Sequence, residues 1–362
     1  AVTARDPRAH LVLVGDGPSQ IAGMVTRTAL LRRLYEGREG TRLADSPKGP
    51  EAGLDLAPAI EKRLAGPAVR VLRALSESSA NAGTKAYLVG GVVRDLLLRR
   101  ENHDLDVVVE GDAAALARDL HGRLGGRLRL HDAFQTAALI LEDGLRGDLA
   151  TARTEHYARP GALPEVSPGG LRQDLFRRDF TVNALAIGLS GGDFGKLTDF
   201  FGGRRDLLEG KIRVLHGLSF IEDPTRALRA VRFAVRLDFE IARETEHLIR
   251  VAAREKVFDR LSPLRLRREI ELLLSERPLV RAVRMLAEFR LVPVLHPDLK
   301  VTRRTYARLA RAEEALAWYR LLYREEKLLA WTVALGVLAE DLSGAARAGL
   351  LERLRPARRA RA

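Results

Sequence analysis

Residues 87–110 read YLVGGVVRDLLLRRENHDLDVVVE, and the reading of this run decides the fold. Its apolar start predicts a short strand ending at Gly90-Gly91. A helix follows through Arg94 and Leu98, and a second strand covers Leu105 to Val109. Asp104 and Asp106 open that second strand. Side chains two apart on a strand point to the same side, so both carboxylates face one spot. Two like charges held together in a sheet are costly unless something cationic binds them. A pair of Mg²⁺ ions carrying a nucleoside triphosphate is the candidate.

The chain has 362 residues, enough for two or three domains and a sizeable core. No run of eighteen apolar residues occurs, so no membrane-spanning helix is expected. The N-terminus lacks a basic-then-apolar signal, and with no Cys a disulfide framework is excluded. A cytoplasmic location is the expectation these features leave. The net charge of +13 favours a polyanionic partner, nucleic acid first. Lys occupies only eight positions, so Arg supplies most of the positive charge, and an Arg-rich composition alone gives the same balance.

Residues 1–40 pattern as a strand, a turn at Gly15-Asp16-Gly17, a second strand around Ile21–Val25 and an amphipathic helix from Thr28. That is half of a small α/β unit, which cannot bury its own face. Residues 41–58 are polar and rich in Gly and Pro, as suits a linker. From Ala59, a helical pattern places Ile60, Leu64, Val69, Leu72 and Leu75 on one side. After Glu110, Asp112 is a candidate cap for a helix through Leu116 and Leu120. LRLHDAFQTAALILED gives two strands, and Asp148 starts a further strand-like segment that offers a third carboxylate. Residues 159–170 hold three Pro and three Gly, the composition of a mobile loop able to close over a substrate. Beyond Phe220 the pattern is almost entirely helical, interrupted at Pro263, Pro278 and Pro293, and a basic tail, ARRARA, ends the chain. The expected fold class is α+β: a mixed sheet with helices, followed by an all-α region.

Several motifs now stand in order: LVGGVVRD with DLD, then RRDFTVNALAI, DFFGGRRDLLEGKIRVL and EDPTRALRAVRFAVRLDFEI. Across residues 60–300 they resemble the superfamily of class II tRNA nucleotidyltransferases and bacterial poly(A) polymerases. The resemblance implies a polymerase-β-like nucleotidyltransferase head at 59–216. A helical neck at 217–275 and a helical, RNA-binding body and tail at 276–362 would follow. It implies addition of CMP and/or AMP to the 3′ end of tRNA from CTP or ATP, without a nucleic-acid template and with two Mg²⁺ ions. The CCA-, CC- and A-adding enzymes share these motifs. A poly(A) polymerase and a non-catalytic RNA-binding relative are the alternatives. Residues 1–40 resemble the C-terminal half of a CBS domain.

By the same resemblance, Asp104 and Asp106 are the metal-binding carboxylates, with Asp148 as a third catalytic candidate. Gly90 and Gly91 form the turn that approaches the triphosphate. Arg94 either touches phosphate or pairs with a head carboxylate. Arg178, Asp179 and Asn183 lie near the nucleotide's sugar and phosphates, although Asp179 as a helix cap and Asn183 as a backbone tie read equally well. Asp223 and Arg226, spaced i and i+3, share a helix face and present an acceptor and a fork of donors to the incoming base. Asp223 before Pro224 is also a natural helix cap. Arg229 and Arg232, with Arg236, form a basic stripe that reads either as a solvated face or as a phosphate contact. Arg265, beside Arg267 and Arg268, carries the same two readings. His131-Asp132 stands alone and reads as a turn.

Overall fold

The structure, a computed structural model, describes residues 11–14, 23–26, 51–102, 104–131, 135–156, 165–324 and 328–355. The helix expected from Thr28, residues 159–164 of the Pro/Gly loop, Asp132 and the basic tail lie outside the described residues; the rest of that expected loop is corrected, since Glu165–Pro168 form a strand paired antiparallel with Arg153–His156. Near the N-terminus, β1 (Leu11–Val14) and β2 (Gly23–Thr26) pair antiparallel, with Leu11 opposite Thr26. The remainder divides into two compact units at Leu215/His216, each described by itself.

The first unit runs β3 (Glu51–Asp55), α1 (Ala57–Arg63), α2 (Gly66–Asn81), β4 (Lys85–Val89), α3 (Gly91–Leu97) and β5 (Asp104–Glu110). It continues with α4 (Ala113–Leu124), β6 (Arg127–His131), β7 (Thr136–Ile140), β8 (Arg146–Thr151), β9 (Arg153–His156) and β10 (Glu165–Pro168). Last come α5 (Leu171–Phe176), β11 (Leu185–Gly188), β12 (Lys196–Asp199) and α6 (Gly203–Glu209). One mixed sheet takes eight of these strands in the order β3-β12-β11-β4-β5-β8-β7-β6. Only β5 and β8 are parallel; the other neighbours are antiparallel.

The strand–turn–helix–strand of the opening run is present with its expected order. Its second strand alternates as two layers require: Leu105, Val107 and Val109 are buried on one face. Helices α2 and α4 pack on each other and on the sheet. On the opposite face Val108 joins Val89, Ala184 and Ala186 beneath Leu171 and Leu175 of α5. Asp104 and Asp106 share that face by the period of two, yet both remain exposed. The apolar cover therefore reaches Val108 and leaves the carboxylates open.

Two further expectations are corrected. The end of the expected linker is the edge strand β3, held by pairing with β12 through a register shift between Lys196 and Thr198. EAGLD alternates only through Ala52 and Leu54 on either side of Gly53, and Leu54 stays exposed, so the pattern is too short and too weakly buried to reveal a strand held by its backbone bonds. The helix expected from Ala59 is two helices. Gly66-Pro67 interrupts it, and Pro67 lies in the first turn of α2, where its missing N–H costs nothing.

The second unit is helical: α7 (Ser219–Glu222), α8 (Thr225–Leu237), α9 (Arg243–Arg254), α10 (Pro263–Leu273) and α11 (Leu279–Glu288). Then follow α12 (Val292–Leu295), α13 (Arg303–Leu321), α14 (Ala330–Ala339) and α15 (Gly344–Leu354). The prolines begin helices rather than merely ending them: Pro263 opens α10, Pro278 immediately precedes α11 and Pro293 lies in the first turn of α12. Helix α8 packs on α10 and α11, with Leu228, Val231 and Val235 meeting a core that includes Leu266, Ile270, Val283 and Leu286. No helix among the described residues is long and apolar enough to cross a membrane.

Candidate active site

In the first unit the site is built where β4 gives way to α3. Gly90 has φ +75° and ψ −134°, a conformation that side chains avoid. A Cβ placed there would lie 2.9 Å from Arg178 Nη1 and 3.5 Å from Asp106 Oδ2. The turn, the DLD strand and the RRD segment thus meet at one point. Gly91 is different: a Cβ there makes only ordinary contacts at 3.6 Å, with Arg94 Nη2 and Asn102 Nδ2.

Asp106 is open to solvent along one side but hemmed in by protein on the others. That burial pushes its carboxyl above the usual carboxylate range; Arg178 opposes the shift, and the charges of Asp148 and Asp104 add to it. Asp148 lies on the parallel neighbour β8, directly opposite Asp106 in the register. Its oxygens are engaged by Arg146 Nε, at 3.1 Å to Oδ1 and 3.0 Å to Oδ2. Among the described residues no three His, Cys, Asp or Glu side chains gather closely enough to enclose a metal.

This donor set suits Mg²⁺ nevertheless. The ion prefers oxygen ligands and is commonly held by one or two carboxylates, with water and substrate phosphates completing its shell. Asp104 and Asp106 supply such a pair. Burial raises the Asp106 carboxyl first, and the neighbouring charges of Asp148 and Asp104 add to it, so a cation bound there would favour its charged form.

Behind the carboxylates runs a connected set of hydrogen bonds. Asn102 Oδ1 accepts from the Asp104 backbone N–H at 2.9 Å, and Asn102 Nδ2 donates to Asp95 Oδ2 at 2.7 Å. Asp95 takes both forks of Arg94, at 2.8 and 2.9 Å. Arg94 Nη1 donates to Asn183 Oδ1 at 2.7 Å, and Asn183 Nδ2 donates to Asp179 Oδ1 at 2.9 Å. Asp179 also accepts from the Phe180 N–H at 2.9 Å. Arg94, Asp95, Asp179 and Asn183 are all buried. Arg94 therefore takes the carboxylate-pairing role, and Asp179 and Asn183 tie local structure together. Sequence reasoning missed Asn102, a single Asn between two motifs that carries no pattern of its own.

The two arginines of RRD divide. Arg177 binds Asp174 and Glu155 at 2.7 and 2.8 Å. Arg178 donates through Nη2 to the fully buried Asp174 at 3.0 Å. Its Nε is buried without a hydrogen bond among the described residues, while Nη1 is directed towards Gly90 and Asp106. Donors left over beside a carboxylate pair are what a triphosphate would use. A separate cavity of about 600 Å³, lined in part by Glu110, Arg118 and Gln135, lies elsewhere. At ~3.3 Å per residue Glu110 stands about 13 Å along β5 from Asp106.

In the second unit Asp223 occupies the junction between α7 and α8. Its Oδ1 accepts from Thr225 N at 3.0 Å and Thr225 Oγ1 at 2.6 Å, the capping role expected of it. Arg265 Nη2 reaches the same oxygen at 2.8 Å. Arg226 is buried and donates through Nη1 to Ser219 Oγ at 3.1 Å.

The stripe beyond is corrected at Arg232, while Arg236 keeps an exposed side chain. Arg232 is buried, stacked over the Phe233 ring and facing Glu269 at 3.4 Å, and its surroundings pull its pKa down, chiefly by desolvation. Arg229 faces Glu269 at 3.5 Å and Arg236 faces Glu276 at 3.7 Å. These arginines meet acidic partners on and just beyond α10. That partner set is 37 to 40 residues away in sequence and invisible in a single-helix pattern. Arg265 likewise turns to Asp223.

The family described as the poly A polymerase head domain matches residues 86–213. A second, described as a probable RNA and SrmB-binding site of polymerase A, matches residues 238–302. The A-adding tRNA nucleotidyltransferase of Geobacter sulfurreducens is 42% identical over 337 residues, covering 92% of this chain and 38% of the relative. The CC-adding tRNA nucleotidyltransferase of Deinococcus radiodurans is 45% identical over 172 residues, 47% of this chain and 46% of the relative. The chain thus spans less than half the length of these two relatives. Among solved structures, an apo CCA-adding enzyme superposes with a TM-score of 0.78 at 38% identity, over 85% of this chain and 72% of that one. The Thermotoga maritima CCA-adding enzyme complexed with tRNA gives 0.74 at 37% identity, over 85% and 71%. The chain belongs to the class II tRNA nucleotidyltransferase and poly(A) polymerase superfamily.

Proposed function

We propose that this chain adds nucleotides to the 3′ end of tRNA without a nucleic-acid template, taking CTP and/or ATP. The observation that carries the reading is the meeting of Asp106, Arg178 and the positive-φ Gly90 turn, with Asp104 beside them on the same strand face. In this reading the tRNA 3′-oxygen forms a bond to the α-phosphorus, the bond to the bridging oxygen breaks, and pyrophosphate leaves. Asp104 and Asp106 hold Mg²⁺, which when bound neutralises the triphosphate and makes the 3′-hydroxyl more acidic. Arg178 steadies the phosphates through Nη1, the donor that lies beside Gly90 and Asp106. Asn102, Asp95 and Arg94 fix the start of β5, and Asp223 with Arg226 reads the base. Asp148 acts with the pair only where Arg146 releases it.

AMP addition is the favoured specific activity. It is supported by the A-adding relative that matches across most of the chain, whereas the CC-adding relative matches about half. Residues 1–40 are read as part of a CBS-like unit, supported by the antiparallel pair β1–β2. The deciding experiment offers tRNA transcripts lacking both terminal cytidines, carrying one, or carrying both, to the protein with labelled CTP or ATP and Mg²⁺. Extension of the two-cytidine transcript by a single AMP, with no use of CTP, is the expected result. CMP addition to the shorter transcripts would reassign it as a CC- or CCA-adding enzyme, and long AMP tracts as a poly(A) polymerase. No extension of any transcript would refute the catalytic reading.

A further inference from the structure

We infer that Arg265 is a specificity-positioning residue: with Thr225 it pins one oxygen of Asp223 so that the other is presented as a fixed acceptor. The inference rests on the reading of Asp223 as a base-contacting residue. Three donors converge on Asp223 Oδ1: Thr225 N at 3.0 Å, Thr225 Oγ1 at 2.6 Å and Arg265 Nη2 at 2.8 Å. Among the described residues Oδ2 receives no hydrogen bond, although the side chain is still 19% exposed. A carboxylate held this way cannot swap its two oxygens by rotation without breaking three bonds at once.

The placement of Arg265 is itself built in. It stands in the first turn of α10, where the Ser262 side chain caps its N–H at 3.4 Å. The Glu269 contacts to Arg229 and Arg232 lie one turn further along, and Glu276 meets Arg236 beyond the end of α10. Acid on one helix thus meets base on the other at successive turns. A one-residue slip of α10 along α8 would break every pair, so the register that brings Arg265 to Asp223 is fixed.

The consequence is discrimination by hydrogen-bond polarity. Cytosine and adenine carry an exocyclic amino donor where uracil and guanine carry an acceptor oxygen. A fixed, unspent carboxylate oxygen accepts from the first pair and repels the second. A carboxylate free to rotate could offer either oxygen in several directions, and the penalty on the wrong bases would fall.

The test measures incorporation of all four nucleotides on one tRNA primer by the wild-type protein and by Arg265→Met, Arg265→Lys, Thr225→Val and Asp223→Ala. Arg265→Met should raise UTP and GTP use relative to the correct nucleotide on the order of tenfold, with tRNA affinity and its salt dependence unchanged. Arg265→Lys, which keeps a cation for Oδ1, should restore most of the discrimination. Thr225→Val should shift it in the same direction by less, and it stands in if Arg265→Met fails to fold. If Asp223→Ala loses discrimination while the Arg265 and Thr225 variants keep it, the positioning role is overturned and the base reading survives. Wild-type discrimination in Asp223→Ala would overturn the base reading itself. Unchanged discrimination in Arg265→Met with weaker, less salt-sensitive tRNA binding would identify Arg265 as a phosphate contact and overturn the inference.

Discussion

Gly90→Ala is expected to damage the site, and Gly91→Ala, one residue on, is expected not to. At position 90 the backbone has φ +75° and ψ −134°, and an added Cβ would come within 2.9 Å of Arg178 Nη1. Holding a non-glycine residue in such a region costs about 1–3 kcal/mol. In a unit of this size each kcal/mol lowers the melting temperature by roughly 2–4 °C, so a fall of about 2 to 12 °C is expected. Arg178 must also give way, and it is the group that offsets the carboxylate charge at Asp106. Nucleotide incorporation should therefore fall more steeply than stability, chiefly through a higher KM for the triphosphate. Position 91 begins α3, its Cβ finds only ordinary contacts at 3.6 Å, and alanine in a helix is favoured over glycine by about 0.5–1 kcal/mol. Thermal unfolding and incorporation kinetics on both variants decide the matter. Equal behaviour of the two, or a Gly90→Ala protein with wild-type KM and melting temperature, would refute the geometry described for this turn.

Other outcomes follow from the same structure. Because Asp106 is shifted up, the folded, metal-free protein keeps its proton at pH values where the unfolded chain has released it. Stability then falls as pH rises from the ordinary carboxylate value through the raised one. Asp106→Asn should melt higher than the wild type at neutral pH in chelator, a gain absent at acid pH. Asn102→Ala removes the two bonds at 2.9 and 2.7 Å that join Asp104 to Asp95. It should raise the Mn²⁺ concentration needed for half-saturation, read by electron paramagnetic resonance of the free ion, by up to about thirtyfold if each bond contributes ~1 kcal/mol. Arg232→Ala strips a partner from buried Glu269 and should cost about 1–3 kcal/mol in denaturant unfolding. The salt dependence of tRNA binding should stay unchanged, since Arg232 is buried and turned to Glu269.

The opening run was legible because its signals are local. Alternation in DLDVVVE, a glycine pair at a strand end and a helix ending near Leu98 need no knowledge of the rest of the chain. The pairing of β5 with β8 was only half legible: a strand at Asp148 could be read, but its register opposite Asp106 is set by non-local packing. Strand β3 was hidden because it is held by backbone bonds to β12, and its only alternating apolar residues are Ala52 and an exposed Leu54. The arginine stripe on α8 misled for a related reason. A cation facing solvent and a cation facing Glu269 have the same sequence until α10 is folded against it. Arg265 and Asp223 stand 42 residues apart, and only the crossing of the two helices makes them partners.

The central claim is that Asp104 and Asp106 carry the chemistry on a scaffold that binds tRNA without them. Its most direct test replaces each by Asn, which preserves shape and removes the charge, and measures AMP incorporation and tRNA binding on the same preparations. The account predicts incorporation reduced to background with tRNA affinity kept within about twofold, a change below 0.5 kcal/mol. Incorporation that persists in either variant would contradict it.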